Sequence, residues 1–235
     1  MNAAPSGLKA MILAAGRGQR MRPLTDTTPK PLLSVNGKPL IVWHLQRLAA
    51  AGITDIVINH AWLGQQIVDT LGDGRAFGVN IKYSAETSAL ETAGGIARAL
   101  PLLGSEPFLV INGDIWCDWP LSKAPGLVKA LQQNNARAHL VLVDNPVHHT
   151  KGDFYLDSNG QVHDNGEPRL TFAGIGVYDP TLFKSLNPDQ AAPLAPLLRQ
   201  SMHTGHVLGE HHQGSWLDVG TPARLGELAR LLAQA

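Results

Sequence analysis

Gly16 and Gly18 stand one residue apart in Leu13-Ala14-Ala15-Gly16-Arg17-Gly18-Gln19-Arg20-Met21, directly behind the apolar run Leu8–Leu13. Backbone without Cβ atoms at two such positions lets successive N–H groups close on a polyphosphate. Arg20 adds a planar fork of donors suited to outer phosphates, and Lys30, in Pro29-Lys30-Pro31-Leu32, adds a point charge. Two familiar phosphate loops are excluded by residue identity. A dinucleotide fingerprint needs a third small residue where Met21 stands. A Walker A loop needs Gly-Lys-Ser/Thr, a tripeptide absent from the chain. The histidine pairs His148-His149, His203 with His206, and His211-His212 have no cysteine or carboxylate partners in a defined motif. They read as surface or substrate-adjacent polar residues rather than a zinc centre.

The elements that must position these groups follow from periodicity. Leu8–Leu13, Ile53–Asn59, Asn80–Ser84, Phe108–Ile111 and Ala136–Val143 read as buried strands. Between them, Pro39–Ala51, Gly64–Leu71, Gly94–Leu100 and Leu121–Asn134 read as helices. Such alternation predicts an α/β fold, a doubly wound and mostly parallel sheet with helices on both faces. The pattern then changes to a hairpin over Asp153–His163 around Ser158-Asn159-Gly160, and a further strand, Arg169–Tyr178, carries Gly174 and Gly176. Helices over Pro193–His203 and Thr221–Gln234, with strands at His206–Glu210 and near Trp216, complete one domain spanning residues 1–235. In such sheets ligands bind beyond the carboxyl ends of the strands. The glycine loop and Asp114, each following a strand, are expected at that edge.

Composition narrows the classes. With 44% hydrophobic and 16% charged residues over 235 positions, the chain can bury a full core and is not disordered. Nineteen basic residues against nineteen acidic leave no basic field for nucleic acid, and 6% aromatics give little for base stacking. The lone Cys117 excludes an internal disulfide framework and fits a reducing compartment. No run approaches the ~18 apolar residues of a membrane helix. Met1–Gly7 lacks the basic start and apolar stretch of a signal peptide, so it is expected to be a flexible extension of a cytoplasmic protein. Nothing specifies an oligomeric state.

The segment Ala14–Leu40 resembles the signature of the sugar-1-phosphate nucleotidylyltransferases, and the similarity continues in order along the chain. It takes in Leu90-Glu91-Thr92-Ala93-Gly94-Gly95, Asn112-Gly113-Asp114, Gly174-Ile175 and Trp216-Leu217-Asp218-Val219-Gly220-Thr221. The resemblance implies a Rossmann-like nucleotidyltransferase fold with an inserted β-hairpin portion for the sugar. It implies nucleotide binding by Ala14, Ala15, Gly16, Gly18, Gln19, Arg20, Lys30, Glu86, Thr92 and Asn112, with catalysis by Arg20, Lys30 and Asp114. It places the sugar at Gly152, Glu167 and Gly174, and a metal at Asp114 and Asp218. Two hard carboxylate oxygens beside a phosphate loop suit Mg²⁺ shared with substrate phosphates. The chain departs from many members in carrying Glu91 for glycine, and Gly166-Glu167-Pro168 without a lysine.

Asn59–Gln66, Leu90-Glu91-Thr92, Lys151-Gly152-Asp153-Phe154 and Thr171–Gly176 further resemble the branch acting on UTP and N-acetylmuramate 1-phosphate in peptidoglycan recycling. The implied reaction is attack by a sugar phosphate oxygen on an α-phosphorus. That nucleophile has a second pKa of about 6 and needs no general base, in keeping with the lack of a Ser-His-Asp arrangement. His60, His148, His149, Lys151 and Arg169 are the sequence candidates for the cation facing the sugar's carboxylate. The alternatives are a GDP-mannose- or dTDP-glucose-forming enzyme, or a non-catalytic sugar-nucleotide sensor. A sensor should have lost one of Arg20, Lys30, Asp114 or Asp218, and all are present.

Overall fold

The computed structural model describes residues 7–233. Of the extension expected over Met1–Gly7, only Gly7 lies within that range, and Gln234 of the expected last helix lies outside it. The elements begin β1 (Lys9–Leu13), β2 (Ser34–Val35), β3 (Lys38–Pro39), α1 (Leu40–Ala50), β4 (Asp55–His60), α2 (Gly64–Leu71), β5 (Asn80–Ala85), α3 (Glu91–Leu103) and β6 (Phe108–Asn112). They continue β7 (Ile115–Cys117), α4 (Ala124–Gln133), β8 (Ala138–Val143), β9 (Phe154–Leu156), β10 (Val162–His163), β11 (Arg169–Tyr178), α5 (Leu194–Met202), β12 (Val207–His211), β13 (Trp216–Asp218) and α6 (Pro222–Ala233).

Seven strands lie in the order β5-β4-β1-β6-β11-β8-β12, and β9 and β10 extend the sheet from one end of β11. Neighbours are parallel except in the β9–β10 hairpin and around β11, which runs antiparallel to β6, β8 and β9. The sheet is therefore mostly parallel, as the alternation of elements predicts. Its strands are apolar on both faces because both are covered. Ala10 and Ile12 pack with Ile41, Leu45 and Leu48 of α1, while Met11, Val57 and Val110 pack with Ala93 and Ile96 of α3. Register sets Leu13 beside both Asn59 and Asn112. The glycine loop, the end of β4 and Asn112-Gly113-Asp114 thus leave the sheet at one edge, where coverage passes from α1 to α3.

Several boundaries differ from expectation for local reasons. Helix α3 starts at Glu91, not Gly94, and runs on through Pro101. Gly94 and Gly95 look like a helix start in sequence but serve packing. A Cβ at Gly94 would sit 2.6 Å from the Gln190 carbonyl oxygen, and one at Gly95 would sit 2.7 Å from Glu86 Oε1. The segment Leu121–Lys123 forms a 3₁₀ turn before α4 rather than part of it. The expected hairpin forms as β9 and β10, with the Asp157 carboxylate accepting from the N–H groups of Asn159 (2.8 Å) and Gln161 (2.9 Å).

Candidate active site

The glycine loop is held by its own neighbours. Gly18 has φ +67°, and a Cβ there would lie 3.0 Å from Thr25 Cγ2 and 3.2 Å from Lys30 Cβ, so glycine is required by conformation and by space. Thr25, fully buried, donates to the Gly18 carbonyl at 2.8 Å, and Met21, also fully buried, anchors the turn through its N–H to the same oxygen. The Met21 side chain that rules out a dinucleotide fingerprint is a core residue. Arg17 is structural too: it stacks 3.6 Å from the Trp62 ring centroid and donates to the Thr25 carbonyl.

Behind the loop runs a relay of buried polar groups. The Ala14 N–H donates to Asn59 Oδ1 at 2.9 Å, Asn59 Nδ2 donates to Glu86 Oε1 at 2.7 Å, and Glu86 Oε2 accepts from the Leu90 N–H at 3.0 Å. This ties β1, β4 and the start of α3 around one cavity, whose wall includes Ala14, Ala15, Gly16, Lys30, Glu86, Thr92, Asn112 and Asp114. Lys30, 7% exposed, donates from Nζ to Asp114 Oδ2 at 2.6 Å across that wall. Glu91 heads α3 with φ +56°, a left-handed conformation that favours glycine, and its side chain lines the cavity. The residue that departs from many family members is therefore held strained at the site.

Gly18, Gln19 and Arg20 do not line this cavity, and Gln19 and Arg20 are exposed. Arg20 reaches toward Asp218. A Cβ at Gly220 would meet Arg224 Nη2 at 2.7 Å, Arg20 Nη2 at 3.0 Å and Asp218 Oδ2 at 3.1 Å. Asp218 Oδ1 accepts from Arg224 Nη1, and His148 Nε2 lies 3.0 Å from that oxygen and 2.8 Å from the same Arg224 nitrogen. Asp114 and Asp218 come together because β7 pairs with β13, and the Val219 N–H donates to the Asp114 carbonyl at 2.7 Å. Sequence reasoning missed Asn59 as a site residue, and it missed Arg224. A polar residue ending an apolar strand was the available signal for Asn59. Arg224 gave none.

A second cavity adjoins the first, sharing Glu91, Thr92 and Asn112, and is walled by Asp153, Phe154, Phe172, Leu198 and Arg199. Gly152, Glu167 and Gly174 line neither cavity. Gly152 (φ +61°) lets the chain cross β11, since a Cβ would meet the Arg169 carbonyl carbon at 2.9 Å. Gly174 (φ +76°) sits at the irregularity in β11 and leaves room for Asn112 Nδ2, 2.7 Å from where a Cβ would lie. Glu167 accepts from the Arg169 N–H at 3.2 Å and so acts on its own turn. The wall residue Asp153 is fixed by the Phe172 N–H at 2.8 Å and by His149 Nε2 at 3.0 Å.

The donor set of Asp114 and Asp218 fits Mg²⁺. Asp114, directly before β7, and Asp218, at the end of β13, each offer hard carboxylate oxygens of the kind Mg²⁺ takes; here they face Lys30 and Arg224. Away from this edge, His212 Nε2 lies 2.6 Å from Asp118 Oδ1, and Cys117 stands close enough that the three ligating atoms fall within 4.8 Å of one another. Burial pushes the Cys117 thiol up to about 11. No helix among the described residues is long and apolar enough to cross a membrane.

Residues 9–235 match the model of a family described as nucleotidyl transferase. The chain is 58% identical over 231 residues to the N-acetylmuramate alpha-1-phosphate uridylyltransferase of Neisseria meningitidis serogroup B, covering 97% of this chain and 99% of that one. It is 32% identical over 232 residues to the mannose-1-phosphate guanyltransferase of Yarrowia lipolytica, covering 92% of this chain but 61% of the relative. A Bacillus anthracis crystal structure assigned as a glucose-1-phosphate thymidylyltransferase superposes with a TM-score of 0.83 at 24% identity, over 97% of this chain and 96% of that one.

Proposed function

The chain belongs to the nucleotidyl transferase family, and from that premise we propose that it transfers a uridylyl group from UTP to N-acetylmuramate 1-phosphate, giving UDP-N-acetylmuramate and pyrophosphate. The observation that carries this reading is the 58% identity, spread over nearly all of both chains, to a uridylyltransferase of that substrate. In line with it, the guanyltransferase is similar at 32% and is a longer protein. On this reading the reaction would belong to the salvage of cell-wall muramic acid, and its use of UTP would suit a cytoplasmic enzyme.

The geometry supports a mechanism of positioning and electrostatics. An oxygen of the sugar phosphate bonds to the α-phosphorus of UTP as the bond from that phosphorus to the β-phosphate bridging oxygen breaks. The departing electron pair leaves with pyrophosphate. The nucleophile is mostly ionised near neutrality, so no residue has to remove a proton. The glycine loop offers backbone N–H groups to the phosphates. Lys30, in the cavity wall, meets charge building on the α-phosphate, and Arg20, beside Asp218, holds the pyrophosphate end. Asp114 and Asp218 would hold Mg²⁺, which supplies charge neutralisation across the phosphates when bound. The two adjoining cavities separate the roles, nucleotide in the first and sugar in the second. A matrix of nucleoside triphosphates against sugar 1-phosphates, read by pyrophosphate release, tests the assignment. UTP with N-acetylmuramate 1-phosphate should give the highest kcat/KM, and a clear preference for GTP with mannose 1-phosphate would overturn it.

A further inference from the structure

Resting on that reading, we propose that Arg199 of α5, oriented by Asp164, is the specificity-determining residue that binds the lactyl carboxylate of N-acetylmuramate 1-phosphate. The second cavity carries charged side chains on its wall, but of one sign with a single exception. Glu91 and Asp153 are carboxylates, and Arg199 is the only cation among the lining residues. A ligand carboxylate is repelled by the first two and has one place to go.

Arg199 is built for that task. Its Nε donates to Asp164 Oδ1 at 2.8 Å, which fixes the plane of the guanidinium. Among the described residues Asp164 is its one side-chain partner, so both terminal nitrogens remain for a bidentate carboxylate contact. Asp164 is itself steadied from Arg169, whose Nη2 donates to the Asp164 carbonyl. One helical turn before Arg199, Ala195 lines the same wall, with Leu198 beside it. A lactyl group presents a methyl and a carboxylate from one carbon. A small apolar residue next to a held guanidinium complements that pair.

The five cations considered from sequence are engaged elsewhere or point elsewhere, and none lines this cavity. Arg169 Nη2 donates to the backbone carbonyls of Asp153 and Asp164, His148 faces Asp218 and Arg224, and His149 faces Asp153. His60 packs against the Tyr83 ring, and burial holds it below the ordinary imidazole range. Lys151 is exposed. Arg199 escaped sequence reading because it sits 35 residues from Asp164, on a helix that carries no motif.

The test compares kcat/KM for N-acetylmuramate 1-phosphate and N-acetylglucosamine 1-phosphate, with UTP, in the wild type, Arg199→Ala and Arg199→Lys. A lactyl carboxamide analogue of the first sugar serves as a fourth arm. Arg199→Ala should lower the preference for the muramic sugar by at least tenfold, chiefly through KM, and Arg199→Lys should recover part of it. The carboxamide should lose as much with the wild type as the alanine variant loses with the acid, and should lose little further with that variant. A wild-type preference that Arg199→Ala leaves intact, or an equal loss on both sugars, overturns the carboxylate subsite while leaving the proposed reaction standing. Equal use of both sugars by the wild type overturns the proposed substrate and the subsite with it.

Discussion

Replacing Asn59 by aspartate should convert the buried relay into a pH-dependent fault. Asn59 is 2% exposed and Glu86 7% exposed, and they touch at 2.7 Å through Nδ2 and Oε1. Aspartate preserves an acceptor for the Ala14 N–H but sets a second carboxylate against Glu86. Two carboxylates in such contact cannot both ionise, so one takes a proton with its pKa raised on the order of two to three units. While protonated, the pair repeats the asparagine arrangement, O–H donating where N–H did. The folded pKa is then above the unfolded value of about 4, so stability is intact below that value and lost as pH rises through the raised one. At 1.36 kcal/mol per unit the loss is about 3–4 kcal/mol by roughly pH 8. Urea unfolding from about pH 4.5 to 8 measures it, with UTP affinity by calorimetry beside it. Asn59→Ala is the control. It strands both the Ala14 N–H and Glu86 Oε1 and costs about 2 kcal/mol or more, without setting a second carboxylate against Glu86. An Asn59→Asp curve that tracks the wild type at a constant offset, with UTP affinity unchanged, would refute the relay.

Other outcomes follow from single residues. Lys30→Ala should lower kcat by roughly 10²-fold, the scale of one transition-state stabiliser; a rise in KM for UTP at constant kcat would make Lys30 a ground-state binder. Arg224→Ala should lower kcat/KM by about tenfold or more, because Asp218 loses the cation that orients it; steady-state kinetics at saturating Mg²⁺ checks this, and full activity would detach Arg224 from the site. His44 is 1% exposed with neither ring nitrogen partnered, and burial, with Arg47 second, pushes it down to about 4. The unfolded chain therefore takes up that proton first, and stability is lost as pH falls from about 6.5 toward 4. By about pH 5 the loss through this group is about 2 kcal/mol, so Leu in its place should widen its advantage over wild type by that amount on going from about pH 7.5 to 5, read from urea midpoints.

The parts legible in the sequence were those whose meaning is local. The closely spaced Gly16 and Gly18 announce a tight turn, Ser158-Asn159-Gly160 a hairpin, and the apolar runs ending in Leu13 and Ile111 the strands whose flush ends make the edge. The rest depends on what folding brings together. The resemblance marks Glu86 for the nucleotide, yet its place in the fold is set by Asn59, 27 residues away, and by the Leu90 N–H. Arg224 meets His148 across 76 residues. Gly94 and Gly95 misled in the opposite sense, since a helix interior accepts glycine where another backbone or carboxylate crosses it, and nothing in the local sequence reports that crossing. Glu167 lies in a turn that the sequence located, but only the fold directs its carboxylate to the Arg169 N–H instead of the second cavity.

The cleft at this sheet edge is proposed to carry out nucleotidyl transfer through Asp114 and its partners. The most direct test is turnover of UTP and N-acetylmuramate 1-phosphate by the wild type and by Asp114→Asn, followed by phosphorus NMR. The amide keeps the volume and a donor-acceptor group beside Lys30 but removes one charge from the proposed Mg²⁺ site. The wild type should form a new diphosphate linkage and pyrophosphate in equal amounts, and Asp114→Asn, folded to the same melting temperature, should form neither. Near wild-type turnover by the folded variant in Mg²⁺ would contradict the account.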